Sequence, residues 1–282
     1  MSTDRTAEIL ISPDALAAAI GSDDAPVVLD VRWRLDKPDG RDDHAAGHIP
    51  GAVYVDLDGE LAEHGEPTDG RHPLPSTEHL QAAARRWGVS QGNSVVVTDD
   101  LNAMSAARAW WLLRAAGVAD VRILDGGLRA WRAAGLPLEE GAVEPVEGDV
   151  VLRSGGLPTV DIDGAAVFPE TGVLIDARAG ERYRGEVEPI DPRAGHIPGA
   201  VNRPTGANLV SGGGFKAADD LRAEFEALGV TDDTPVAVYC GSGVTAAHQI
   251  AALAIAGFDA TLYPGSWSQW SNHPDRPVAT TD

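Results

Sequence analysis

The sequence predicts an α/β protein made of two tandem copies of one domain, each a mostly parallel sheet with helices on both faces. One observation is alternation. Short apolar, β-branched runs take turns with longer Ala- and Leu-rich stretches, the order that a parallel sheet covered on both sides requires. The other is repetition. The octet Ala46-Gly47-His48-Ile49-Pro50-Gly51-Ala52-Val53 recurs unchanged at residues 194–201, an offset of 148 (194 − 46). Three further matches follow in the same order: Val28-Leu29-Asp30-Val31 with Leu174-Ile175-Asp176-Ala177, Ala106-Ala107-Arg108 with Ala246-Ala247-His248, and residues 126–131 with 265–270. Four ordered matches imply duplication.

In the first copy, Ser12-Pro13-Asp14 opens a helix through Ile20, with serine as the cap and proline in the first turn. A strand covers residues 27–31, and the Gly47-His48-Ile49-Pro50 loop leads into another short one. Ser76-Thr77-Glu78 begins a helix ending near Gly88. Strands at 94–98 and 121–124 flank an apolar helix from Ser105 to Gly117, and a short helix closes the copy at 128–135. The first domain is expected over residues 1–140, a polar Glu- and Gly-containing linker over 141–157, and the second domain over 158–282.

Composition narrows the function. The 282-residue chain is 43% hydrophobic, enough for real cores, and its formal net charge of −21 argues against nucleic acid or an anionic membrane surface as partner. One cysteine leaves no intramolecular disulfide and suits a reducing, cytoplasmic setting. Met1-Ser2-Thr3-Asp4 does not read as the start of a signal peptide, and no apolar stretch has the length of a membrane span. The histidines are scattered and no second cysteine accompanies the first, so neither a metal site nor a cofactor site is expected.

The chemistry concentrates at Cys240. A buried strand after Pro235 meets an Ala- and Ile-rich helix beginning at Thr245, and Cys240-Gly241-Ser242-Gly243-Val244 forms the turn between them. Glycines at 241 and 243 allow positive φ and inward-facing N–H groups, which at a helix N-terminus make an anion cup. A cysteine there is expected to ionise readily. Most lone cysteines are small buried hydrophobes. Here the position at a strand-to-helix turn, where open α/β sheets bind ligands, favours a nucleophile.

The paired Gly-His-Ile-Pro-Gly-Ala loops together with Cys240-Gly241-Ser242-Gly243-Val244-Thr245 resemble the two-domain rhodanese-type sulfurtransferases over nearly the whole chain. The Cys-Gly-Ser-Gly-Val-Thr loop is closest to the 3-mercaptopyruvate sulfurtransferases. The resemblance implies that Cys240 takes sulfur from a small anionic donor as a persulfide and passes it to cyanide or a thiol, thioredoxin or another sulfur-acceptor protein included. Gly241, Gly243, Val244 and Thr245 would cradle the donor and the persulfide. The resemblance also implies an acid–base relay of Ser242 with His72 and Asp58, and a carboxylate-binding role for Arg182. The family's second substrate arginine has no direct match in Glu188-Pro189-Ile190-Asp191-Pro192-Arg193: either Arg193 fills its role from two residues further on, or Asp191 stands in its place and weakens the carboxylate clamp.

Alignment on the helices after each loop puts Asp100 opposite Cys240, so the first domain is expected to be non-catalytic. His48 and His196, repeated in both copies, are read as scaffold, Trp267 and Trp270 as packing, and Arg178 and Arg184 as surface charges. A cysteine phosphatase would need an arginine where Ala246 stands. Two alternatives remain: a thiosulfate sulfurtransferase, and a relay protein fed by a partner with little turnover of small donors.

Overall fold

Valine-rich runs set the two sheets. In the computed structural model, which describes residues 4–281, the first copy contributes β1 (Leu10–Ile11), β2 (Val27–Asp30), β3 (Val53–Tyr54), β4 (Val95–Thr98) and β5 (Val121–Leu124), all parallel in the order β1-β5-β4-β2-β3. The second contributes β6 (Val173–Asp176), β7 (Val201–Asn202), β8 (Val236–Tyr239) and β9 (Thr261–Leu262), parallel in the order β7-β6-β8-β9. A single parallel bridge from Thr159 to Leu262 stands where β1 stands in the first copy. The central strands β4 and β8 are buried at all four positions, which explains why they read as unbroken apolar runs. The opening Met1 to Thr3, read above for targeting, lies outside the described residues.

The larger helices are α1 (Pro13–Ile20), α2 (Thr77–Arg86), α3 (Ala106–Ala115), α4 (Gly127–Ala133), α5 (Ala218–Glu226), α6 (Thr245–Ile255) and α7 (Ser266–Ser271). Ser12 caps α1 as expected, its Oγ accepting from the Ala15 N–H at 3.3 Å. Helices α3 and α6 pack against each other between the domains and are buried nearly all round. Ala106, Ala107, Ala246 and Ala247 are buried in one apolar cluster that runs through both copies. Among the described residues no helix is long and apolar enough to cross a membrane.

The segment expected as a polar linker is fastened to the first domain. Gly141, Gly148 and Arg153 donate backbone N–H groups to the carbonyls of Ala45, Arg85 and Ala116 at 2.8–2.9 Å. Val150 and Leu152 are buried in the apolar cluster. The two repeated histidines serve the same end in each copy: His48 exchanges backbone hydrogen bonds with Glu139, and His196 with Ala279, so each pins its domain's last segment.

The residue opposite the cysteine is Asp99, not Asp100. Strand register pairs Asp30 with Thr98 and Asp176 with Tyr239, an offset of 141 (239 − 98), whereas the helices align at 140 (246 − 106). The first-domain turn is therefore one residue longer, and alignment on the helix slips by one at the turn. Main-chain bonds agree: Leu128 N–H donates to the Asp99 carbonyl as Trp267 N–H does to that of Cys240. The fully buried Asp99 carboxylate accepts from the N–H groups of Leu101, Ala103, Ser105 and Ala106 at 2.8–2.9 Å. Burial pushes its pKa up against those four donors. The first copy thus fills its own anion cup.

Candidate active site

Cys240 follows β8 directly and is 1% exposed. Its N–H donates to Ser266 Oγ at 3.1 Å, and the Gly243 N–H donates to its Sγ at 3.1 Å. The turn depends on its glycines for different reasons. Gly243 has φ +79°, and a Cβ there would lie 2.5 Å from the Pro264 carbonyl oxygen. Gly241 has no such φ. Instead, two guanidinium groups crowd its face: Arg71 Nη2 and Arg182 Nη1 would lie 3.2 and 3.5 Å from a Cβ at 241. Val244 is buried, and Thr245 is the first residue of α6, where helix N–H groups have no partner within the helix.

Across the domain boundary, His72 sits between a hydroxyl and a carboxylate. Its Nδ1 lies 2.8 Å from Ser242 Oγ and its Nε2 3.1 Å from Asp58 Oδ1. An ionised carboxylate only accepts, so Nε2 carries the proton and the Ser242 hydroxyl donates to Nδ1. Burial lowers the His72 pKa, and the nearby guanidinium groups of Arg108 and Arg71 reinforce this against the pull of Asp58. The shift favours the neutral ring, whose Nδ1 is free to accept a proton. Burial pushes the Asp58 carboxyl up, but the hydrogen bond from His72, with the Trp33 indole nearby, outweighs it and holds the pKa below the ordinary value. Trp33 meets the His72 ring edge-on, with centroids 5.4 Å apart. Asp56 is the N-cap of the short helix that carries Asp58, which leaves Asp58 to face the histidine.

Arg108 joins the two halves. Fully buried at the start of α3, it donates to the carbonyls of Leu61, His72 and Pro73 in its own domain and of Gly243 in the other, at 3.0–3.3 Å. Burial lowers its pKa to about 10.

Arg182 reaches the turn as expected. Its other edge is held by Glu188 at 2.6 Å and Asp191 at 3.2 Å. Arg193 does not reach it, which corrects the reading from sequence. Its guanidinium donates to the main-chain carbonyls of Trp270, Ser271, His273 and Arg276 at 2.7–3.0 Å, tying off the end of α7. Arg178 is also no surface charge: it is buried against Asp176 and the Gly195 carbonyl, as Arg32 is against Asp30 and the Gly47 carbonyl. Arg184 is exposed and pairs with Glu186, and Trp267 and Trp270 are packed in the core.

Two residues of the site escaped the sequence. Arg71 stands directly before His72, and Arg108 occupies the repeat position of His248. The adjacency and the mismatch were signals, but a surface arginine would have read the same way. Among the described residues no group of three or more His, Cys, Asp or Glu is arranged to hold a metal ion.

A family model for the rhodanese-like domain matches residues 12–134 and 164–273. The chain belongs to the rhodanese family. Each of its two rhodanese-like domains carries one parallel sheet, and only the second carries a cysteine. The chain is 50% identical over 276 residues to a Mycobacterium tuberculosis protein provisionally named thiosulfate sulfurtransferase SseB, covering 96% of each. It is 41% identical to a 3-mercaptopyruvate sulfurtransferase of Escherichia coli, covering 90% of this chain and 93% of that one. The crystal structure of SseA from Escherichia coli, described as a 3-mercaptopyruvate sulfotransferase with the rhodanese fold, superposes with a TM-score of 0.81 at 38% identity, over 92% of this chain and 98% of that one.

Proposed function

We propose that this rhodanese-family protein is a sulfurtransferase that moves sulfane sulfur from 3-mercaptopyruvate to a thiol or cyanide through a persulfide on Cys240. The observation that carries the choice of donor is the Ser242–His72–Asp58 relay beside the cysteine. The Cys240 thiolate attacks the donor sulfur, the carbon–sulfur bond breaks, and its electron pair leaves as the enolate of pyruvate. The proton on the transferred sulfur passes to Ser242 and His72 and returns to the enolate carbon, giving pyruvate. Neutral His72 can take that proton, and Asp58 steadies the imidazolium that results. The Gly243 N–H, aimed at Sγ, favours negative charge on sulfur. Attack by an acceptor thiolate or cyanide on the outer sulfur restores Cys240, so ping-pong kinetics are expected. The first domain supplies His72, Asp58 and a wall of the cleft rather than a nucleophile. A lone reduced cysteine fits a cytoplasmic enzyme, and thioredoxin fits the role of acceptor protein.

Thiosulfate as donor is the second reading, favoured by the 50% identical relative from Mycobacterium tuberculosis. With thiosulfate as donor, the S–S bond breaks and sulfite leaves, which needs no proton relay. Steady-state transfer to cyanide with both donors separates the readings. More than tenfold higher kcat/KM for 3-mercaptopyruvate, about 1.4 kcal/mol, together with a large loss in Ser242→Ala on that donor alone, supports the first. Equal or better use of thiosulfate overturns it, and residual transfer in Cys240→Ser removes the assigned nucleophile.

A further inference from the structure

We propose that the cavity between the two domains lined by Trp110, Arg114, Ile250 and Phe258 is a second small-molecule site, one that takes an aromatic monocarboxylate. Its volume is about 320 Å³, inside the size range of small-molecule sites, and it shares no residue with the Cys240 turn or the relay.

Duplication accounts for its place and its chemistry. Helices α3 and α6 align at an offset of 140, so Trp110 matches Ile250 and Arg114 matches Ala254 (250 − 110 and 254 − 114). Sheet register puts Leu10 beside Ile123 and Thr159 beside Leu262, which are equivalent strand positions, so Ile9 matches Pro158 and Glu8 matches Leu157. All four matched pairs line the cavity. The copies therefore meet here with the same wall, and divergence has made the two walls unlike. The first brings a guanidinium and an indole where the second brings Ala254 and Ile250, and Phe258 extends the apolar side. A ligand with a flat apolar body and one charged end matches such a lining.

The sign of that charge follows from the arginines. Arg5 is taken, its Nη1 pairing with Asp259 at 2.7 Å. Arg114 has no ion-pair partner among the described residues, and its guanidinium lies over the Trp110 ring, 5.4 Å from the centroid. Trp110 is 2% exposed, and its indole N–H has no acceptor among the described residues. Glu8 is exposed and pairs with neither arginine. A cation seated on an aromatic face whose own donor is unused lacks only an acceptor. A carboxylate supplies it, and the ring it carries covers Ile250 and Phe258.

Calorimetric titration of the whole protein with naphthalene-1-acetate and with its uncharged amide, naphthalene-1-acetamide, tests this. We expect one molecule of the acid per chain and binding of the amide at least tenfold weaker. Arg114→Gln should raise the Kd of the acid about tenfold, level with the amide, while Ala254→Phe, which fills the cavity, should abolish binding of both. Arg182→Gln, at the Cys240 turn, should leave the Kd within twofold, and Arg114→Gln should leave sulfur transfer within twofold. The half-buried Arg114 is replaced without disturbing the core, so the answer does not depend on Ala254→Phe folding. The proposal is wrong if the acid shows no saturable binding up to about 1 mM, or if the amide binds as well as the acid. It is equally wrong if Arg182→Gln rather than Arg114→Gln weakens binding, which would put the carboxylate at the active site.

Discussion

Replacing Arg108 by methionine should unfold the coupling between the domains more than any surface change. The guanidinium is fully buried and donates to four main-chain carbonyls, three in the first domain and that of Gly243 in the second. Hydrogen bonds from a charged donor contribute about 1.5–3 kcal/mol each, so the four amount to roughly 6–12 kcal/mol. Against this stands the cost of burying the charge. Burial lowers the Arg108 pKa to about 10, which corresponds to a cost of a few kcal/mol at ~1.4 kcal/mol per unit. Methionine removes both, refills the volume, and strands carbonyls that tolerate it better than N–H groups would. The net expectation is a loss of about 3–5 kcal/mol in urea unfolding followed by tryptophan fluorescence, with Arg108→Lys between the two. Sulfur transfer should fall even where the variant is folded, because the His72 loop and the Cys240 turn lose their common anchor. A loss below about 1 kcal/mol, or full activity in Arg108→Met, would refute the reasoning.

Gly243→Ala should cost more than the about 1–2 kcal/mol of a left-handed alanine, since its Cβ also meets the Pro264 carbonyl at 2.5 Å; thermal denaturation that matches the parent would contradict this. Asp99→Asn should lower stability by about 2 kcal/mol or more, because an amide offers one acceptor oxygen to four N–H donors, yet leave kcat of the folded protein unchanged; a kcat loss approaching that of Cys240→Ser would show chemistry in the first domain. His248 is buried and neutral, with its pKa lowered to about 3 by burial. Its unfolded form binds the extra proton, so the stability it conditions is full above pH 6.5 and falls by about 1.4 kcal/mol per pH unit as pH drops toward 3. His248→Gln should flatten that fall in urea titrations between pH 6.5 and 4, and an unchanged slope would exclude His248 as its source.

Much of this architecture was legible because duplication wrote it twice. The His48 and His196 loops, the valine-rich central strands and the Cys240 turn all follow from local pattern, and all stand where the pattern puts them. Legibility failed where contact across the chain decides. Arg193 and Arg71 are both arginines in polar, proline-containing stretches, and nothing local distinguishes the one that ties off a helix end from the one that faces the cysteine turn. Asp100 was mistaken for Asp99 because a one-residue insertion in a turn is invisible when only the helices are aligned. Arg178 reads as a solvated charge until its buried partner Asp176 is seen two residues away.

The relay crosses from one copy to the other, with Ser242 in the second domain and His72 and Asp58 in the first. After duplication, then, the copies did not diverge into an active unit and a spare. One carries the cysteine and Ser242, while the other carries His72 and Asp58 and fills its own anion cup with Asp99. Neither half can now be dropped, split off or swapped for its sister without dismantling the centre. The constellation belongs to neither half alone, although each half folds on the same plan.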